Sequence, residues 1–428
     1  MSQIDEGILK PEVSELCSIL IDVLKQGKDV DPVHLSALTP EQWQKFMAIA
    51  AAQRVTPLVF HRLKKKGLEH AVPHDVYASL RDVSVQNTMR IMKISAQSRL
   101  VMKALNSADI PTIPLKGIVM ANSIYESIGL REMNDFDLLV PPEKLARAVE
   151  ILTGMGYKPV QPFHLDSLIQ TNMHLPGFIK KGHVKIEIHW NITSTNIYYS
   201  IDPRELWEKA VPVQILDYET LMLSPEDLLL HLCLHTSYQH QFNFGLRPSC
   251  DIAEVIDHFR TTLDWQSVTE RAKQRGWARG VYLALVIASE FAGADVPADV
   301  LERLHPADVT DSVLNAVRTQ ILTEKYFNAS VPEHFAILLS RKRLLDKIKI
   351  FINRFFLPRE TIAANYLVAA DSFKVYIYYL RRFIDMLLRH GRTFLYVTKH
   401  NEDDPSVKAL VDRKAIISNW LSDHRIRL

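Results

Sequence analysis

Glycine is scarce in this chain, 14 among 428 residues, which leaves little material for the repeated tight turns of an all-β protein and favours helices. Cysteine is scarcer still. Cys17, Cys233 and Cys250 are odd in number and far apart, which excludes a disulfide framework and a CxxC metal site. They suit a reducing compartment, and the cytoplasm is the expected location. No long hydrophobic run is present: the uncharged stretch around Val281 stops at Glu290, far short of a membrane span, so stable membrane insertion is not expected. The opening MSQIDEGILKPEV carries acids and has neither a basic start nor an apolar run, so a signal peptide is not expected. Strong net charge is also missing. At +2 overall, bulk electrostatics does not mark a nucleic-acid binder.

What remains is an ordinary globular composition, 47% hydrophobic and 23% charged, on a chain long enough for two or three domains. Residues 1–107 read as an N-terminal helical domain. In it Thr39-Pro40-Glu41-Gln42 places an N-cap, a first-turn proline and an N3 glutamine ahead of Trp43, Phe46 and Met47. A long helical pattern runs over 74–107. Residues 108–222 change period and read as an α/β core: a strand over 110–115 ending at Lys116-Gly117, a helix from Ile118, a strand over 135–140, a helix over 142–155, a strand from Tyr157, and a hairpin joining 178–180 to 184–190. Ser224-Pro225-Glu226-Asp227 is a strong helix start and opens a helical domain over 223–345 that completes a cleft. A basic helical region fills 346–428. The fold class is α+β, a small mixed sheet flanked by helical domains.

Chemistry concentrates on the sheet. Residues two apart on a strand share a face, so Asp135 and Asp137 project together while Phe136, Leu138 and Val140 face a core. On the later strand Lys185, Glu187 and His189 share one face and Ile186, Ile188 and Trp190 the other. If the strands are neighbours, three carboxylates converge. Such a cluster needs a cation, and hard oxygen ligands suit Mg²⁺, with Mn²⁺ as the alternative. Two such ions would serve an in-line displacement at phosphorus. Solvated acids on an exposed face would equally explain a lone D-x-D. The ordered set is more specific: a strand, then Lys116-Gly117, then a helix whose N-terminus favours phosphate, then the acids.

The segments IPTIPLKGIVMANSIY, REMNDFDLLV, VKIEIHW, LSPEDLLLHLCLH and LRPSCDIAEVI together resemble the uncharacterised bacterial nucleotidyltransferases of the polymerase-β superfamily. QWQKFMAIAAAQRVTPLVFHRL and FLPRETIAANY fit the same style, so the resemblance covers residues 40–395. It implies a polymerase-β-like core, metal ligation by Asp135, Asp137 and Glu187, and Gly117 in a phosphate loop. The wider superfamily usually carries Gly-Ser or Gly-Gly there. This chain has Gly117-Ile118, which removes a hydroxyl that would grip phosphate and leaves Lys116 or Arg131 to substitute.

The implied activity is Mg²⁺-dependent transfer of a nucleoside monophosphate from an NTP such as ATP, releasing pyrophosphate. The acceptor is open among small molecule, peptide, protein and tRNA. Beyond the acids, Lys116, Gly117, Arg131, His189, His235 and Arg247 are the candidate nucleotide contacts. Arg131 has a structural alternative in Glu132, and Arg247 in an i,i+4 pair with Asp251. His231, Cys233, His235 and His240 lack a matching second ligand pair, and helix packing is the better reading than zinc. Over 341–400 there are 13 Lys/Arg against 4 Asp/Glu, a solvated basic face or the contact for an anionic partner. Two rival classes stay open: a non-catalytic nucleotide-binding scaffold on the same fold, and a basic helical protein that binds RNA or a membrane surface.

Overall fold

The computed structural model describes residues 11–193, 201–323, 371–384 and 405–422, with residues 359, 362 and 368 between them. Most of the basic stretch over 341–400 lies outside the described residues. Among those described, no helix is long and apolar enough to cross a membrane.

Five helices come first: α1 (Pro11–Leu24), α2 (Pro32–Ser36), α3 (Pro40–Ala52), α4 (Thr56–Lys65) and the long α5 (His74–Asn106). The start of α3 follows from its capping box. Thr39 Oγ1 accepts from the Gln42 amide at 3.3 Å, and Gln42 Oε1 accepts from the Thr39 amide at 2.9 Å. This satisfies two helix-end donors and starts the helix in a phase that buries Trp43, Phe46 and Ile49. Two polar side chains of α5 fasten it to the core. Gln97 bonds both the amide and the carbonyl of Val184 at 3.0 Å, and Ser95 accepts from Asn122 at 3.0 Å.

The core sheet has five strands, β1 (Ile113–Leu115), β2 (Asp135–Leu139), β3 (Lys158–Pro159), β4 (Phe178–Ile179) and β5 (Lys185–His189), in the order β1-β2-β5-β4-β3. β2 and β5 run parallel and every other pairing is antiparallel, which makes the sheet mixed. One face of the central pair carries Phe136, Leu138, Ile186 and Ile188, all fully buried. That apolar face fixes the register, because a one-residue slip would turn those four toward the polar side. The connection from β1 to β2 holds a single turn, α6 (Gly117–Val119), which runs into a π turn over Met120–Ile124. The helix from β2 toward β3 is α7 (Leu145–Gly154), and α8 (Leu165–Thr171) precedes β4.

After α9 (Pro203–Glu208) comes a two-stranded sheet of β6 (Val211–Ile215) and β7 (Tyr218–Met222), a hairpin absent from the sequence reading. Its turn is Leu216-Asp217, with Leu216 in the left-handed region at φ 55°, so the Asn-Gly or Asp-Gly signature of such turns is missing. Among the helices that follow are α10 (Pro225–Leu234), α11 (Arg247–His258), α12 (Trp265–Gln274), α13 (Ala278–Ala292), α14 (Ala298–Leu304), α15 (Asp311–Thr323) and α16 (Pro405–Ser422). Ser224 caps α10 by accepting from the Asp227 amide at 3.2 Å. One continuous buried cluster runs from Leu16 through the sheet to Leu421, so both sets of helices pack on the same core.

Candidate functional site

Register decides which side chains meet. Leu115 pairs with Asp137 across β1 and β2, and Asp137 pairs with Glu187 across β2 and β5, with Leu139 opposite His189 beyond. The ligand atoms of Asp137, Glu187 and His189 all lie within 4.8 Å of one another. His189 Nε2 stands 3.1 Å from Asp137 Oδ1 and 3.9 Å from Glu187 Oε2. Asp135 lies outside this tight group, two residues back on β2 and opposite Lys185. The charges of Asp137 and Glu187 still reach it. Burial first, and then their repulsion, push its carboxyl above the ordinary value.

Asp137 goes the other way. Burial alone would raise its pKa and is the largest single influence. The charge of Lys116 and the hydrogen bond from His189 outweigh it and hold the carboxyl well below its ordinary range. Lys116 Nζ lies 3.4 Å from Asp137 Oδ2. Lys185 pairs with Glu187 on the same strand face, the pairing the period-two reading makes available. His189 is fully buried, and burial lowers its pKa against the pull of Asp137.

The turn that delivers Lys116 is unusual. Lys116 itself holds φ 47° and ψ −116°, a conformation costly for a residue with a Cβ and often found at functional sites. Gly117 is needed for space instead of for its torsion. A Cβ there would lie 2.6 Å from Arg131 Nη1 and 2.9 Å from Met133 Sδ. The sequence reading placed Gly117 in a phosphate loop; the positive-φ residue of that turn is Lys116.

Arg131 forms its ion pair with neither Glu132 nor the carboxylates of the sheet, and meets Glu132 only through a long 3.5 Å hydrogen bond from Nη1 to its backbone carbonyl. Its Nε and Nη2 make a bidentate pair with Asp251 on α11, at 3.0 and 2.9 Å, and Tyr125 donates to the same carboxylate at 2.9 Å. Both ends are buried, so most of the guanidinium is engaged in a strut beneath Gly117. The sequence reading offered Asp251 to Arg247; its pairing with Arg131, and the part of Tyr125, escaped because 120 residues separate Arg131 from Asp251, with no periodic signal to link them. With Asp251 taken, Arg247 donates from Nη1 to the Glu132 carbonyl at 3.2 Å, and its buried Nε has no hydrogen-bond partner among the described residues. Burial first, then the charge of Arg131, push the Arg247 guanidinium down to about 10.

A wall of rings stands by Arg247. His235 opens a π turn over His235–Gln239 at the end of α10, and Gln241 and Phe242 follow in the left-handed region at φ 46° and 62°. His235 and His240 lie 4.4 Å apart between centroids, Phe244 is 4.1 Å from His240, and the Arg247 guanidinium is 6.0 Å over Phe244. Burial, and next the charge of Lys116, hold His231 and His235 well below their ordinary range and His240 at about 4. That shared influence of Lys116 ties the ring wall to the carboxylates. His231, Cys233, His235 and His240 do not form a metal-competent group among the described residues.

The donors fit a divalent cation. Ligand atoms about 2.1 Å from an octahedral ion stand about 3 Å apart at right angles and about 4.2 Å apart across it, which brackets the 3.1 and 3.9 Å separations at His189. Cations from Lys116 and Lys185 beside this set suit an anionic group such as phosphate. No curated protein matches the chain. The family model described as uncharacterised nucleotidyltransferase matches residues 39–293, a span that contains every residue of this site, and the chain belongs to that family.

Proposed function

We propose that this protein transfers a nucleoside monophosphate from an NTP to a hydroxyl or phosphate oxygen of an acceptor, with a divalent cation at Asp137 and Glu187. The observation that carries the reading is the facing of those two carboxylates on parallel neighbours, next to a Lys-Gly turn that opens a helix. The acceptor oxygen bonds to the α-phosphorus, the bond to the β-phosphate bridging oxygen breaks, and pyrophosphate leaves. The cation supplies charge neutralisation at the phosphates and acidifies the acceptor oxygen. Glu187 takes the acceptor proton. Asp135 is a further ligand toward the phosphates, as its position on the Asp137 face of β2 allows. Lys116 turns from Asp137 to the phosphate chain, and the amide nitrogens that follow Gly117 approach the same oxygens. His235 and the neighbouring rings line the base, and Arg247 offers its unpartnered Nε to the nucleotide. Arg131 supports the loop through Asp251 and does not clamp the triphosphate.

A second reading, a non-catalytic nucleotide-binding scaffold, draws on Ile118, which offers no hydroxyl to phosphate. The experiment that separates them uses each NTP labelled at the α-phosphate, with Mg²⁺ or Mn²⁺ and fractionated cell extract as acceptor source. Label on an acceptor together with stoichiometric pyrophosphate supports transfer. Metal-dependent NTP binding with no labelled product from any fraction supports the scaffold.

A further inference from the structure

We infer that His189 is a direct metal ligand, and that Asp137, Glu187 and His189 form a mixed carboxylate–imidazole site that selects Mn²⁺ over Mg²⁺. The inference rests on the metal-dependent reading above and adds to it the identity of the third ligand and the class of ion.

The tight group in this structure is not the all-carboxylate trio that the strand pattern predicts. His189 takes the place of Asp135 in it, with all ligand atoms within 4.8 Å. Its imidazole is carried on the same strand as Glu187 and two residues away, so the backbone of β5 aims both at one point. Nε2 is the nitrogen that faces both carboxylates, at 3.1 and 3.9 Å. The first separation is that of neighbouring donors on one ion and the second approaches that of opposite donors. The ring is buried with little room to swing aside: the His174 ring lies 5.0 Å away between centroids. In the metal-free protein Nε2 donates its hydrogen to Asp137. Binding of an ion at Nε2 would place the single ring proton on Nδ1, with no net proton lost by the neutral imidazole, and would substitute a nitrogen–metal bond for the hydrogen bond, with Lys116 free to leave Asp137.

Ligand softness then sets the choice of ion. Mg²⁺ binds oxygen and parts reluctantly with its waters. Imidazole nitrogen favours first-row transition ions, and Mn²⁺ joins that preference to a tolerance for carboxylate and phosphate oxygens. An all-carboxylate group at this place would lack the bias.

The test is pulsed electron paramagnetic resonance on the full-length protein loaded with Mn²⁺, grown with natural or ¹⁵N-labelled histidine. Coordination through His189 gives a nitrogen coupling that changes with the histidine isotope. It is lost in His189→Gln and kept in His174→Gln. Titration should show Mn²⁺ binding tighter than Mg²⁺, with the Mn²⁺ affinity of His189→Gln reduced about 10- to 100-fold and the Mg²⁺ affinity changed much less. Circular dichroism and thermal melts verify that His189→Gln folds; if it does not, His189→Asn takes its place, since the chain holds 17 histidines and the wild-type isotope dependence shows only that one of them binds the ion. Bound Mn²⁺ with no histidine coupling overturns this inference and leaves the transferase reading in place, with His189 a hydrogen-bond partner of Asp137. Failure of Mn²⁺ and Mg²⁺ alike to bind, with or without NTP, overturns both.

Discussion

Two charged clusters meet the Lys116-Gly117 turn, one at Lys116 and one at Gly117, and they are built differently. Around Asp251 one carboxylate meets the Arg131 guanidinium through two parallel hydrogen bonds and takes a third from a tyrosine hydroxyl. Around Asp137 three carboxylates face two lysines, the Lys116 contact is a loose 3.4 Å, and one acid is pushed up while its neighbour is pushed down. A closed cluster is a strut. An open one is a place for something to bind. The difference predicts that removing one charge costs stability in the first and function in the second.

Asp251→Asn should give the largest effect. It leaves Arg131 buried without a counter-charge, and breaking such a pair typically costs about 3–5 kcal/mol. Chemical denaturation followed by fluorescence measures it. A loss under about 1 kcal/mol would mean water already reaches the pair, and the strut reading would fail.

Asp137→Asn should reverse the balance. Transfer activity should fall at least about 10²-fold, because the lost carboxylate holds charge against the developing transition state. The metal-free fold should lose less than in Asp251→Asn, since the charge of Lys116 acts on Asp135 as well. It should not gain, however. Simple like-charge repulsion among three acids predicts relief on removing one, but Asp137 is the acid that Lys116 and His189 hold below its ordinary pKa, so its charge is favourable in the folded state. With Mn²⁺ and NTP present the wild type should gain thermal stability by linkage and the variant much less. Equal gains in both would remove Asp137 from the metal site.

The two clusters also differ in how legible they were. Asp137, Glu187 and Lys185 were readable, because alternation fixes strand faces and one apolar face was unmistakable in Phe136, Leu138, Ile186 and Ile188. The helix starts at Thr39 and Ser224 were readable because caps are local chemistry. That the two acidic strands are parallel neighbours is a non-local fact, reached only as a condition. Arg131–Asp251 was invisible for the same reason: no rule of spacing links residues 120 apart. The strained Lys116 was hidden because a glycine follows it and offers itself as the bend. Asp135 and His189 could not be ranked from the strand pattern, since both share the acidic face and only the register of β2 on β5 decides which reaches Glu187 and Asp137.

A smaller effect should come from acid. His240 lies in the ring wall with its pKa lowered to about 4 from 6.5. The unfolded chain takes a proton there as pH falls through 6.5, and the folded protein resists until about 4. The neutral ring's contribution is therefore fully present above pH 6.5 and lost between 6.5 and 4, up to about 3 kcal/mol for this residue. His240→Phe should flatten that part of the stability curve, leaving the shares of His231 and His235. The groups facing His240 electrostatically are Lys116, Arg247, Asp137 and Glu187, so the same titration in Arg247→Gln should shift the loss toward higher pH-resistance of the charged ring, that is, a smaller loss. An unchanged curve in His240→Phe would show that the ring is hydrated.

Gly117→Ala should give the smallest change and probes the seam between the clusters. The added methyl meets Arg131 Nη1 at 2.6 Å on one side and Met133 Sδ at 2.9 Å on the other. Arg131 cannot withdraw without loosening its bonds to Asp251, whereas Met133 is a flexible side chain that can turn away. The cost should therefore fall in the overpacking range, about 1–3 kcal/mol, and be set mostly by Met133. A double-mutant cycle tests this. Met133→Ala removes one of the two obstacles, so Gly117→Ala should cost less in that background, with a coupling of about 0.5 kcal/mol or more. Strict additivity would mean that Arg131 takes up the strain. In that case Gly117→Ala in the Asp251→Asn background, where the guanidinium is no longer held, should become nearly neutral, and the bonds to Asp251 would be shown to hold Arg131 against the loop.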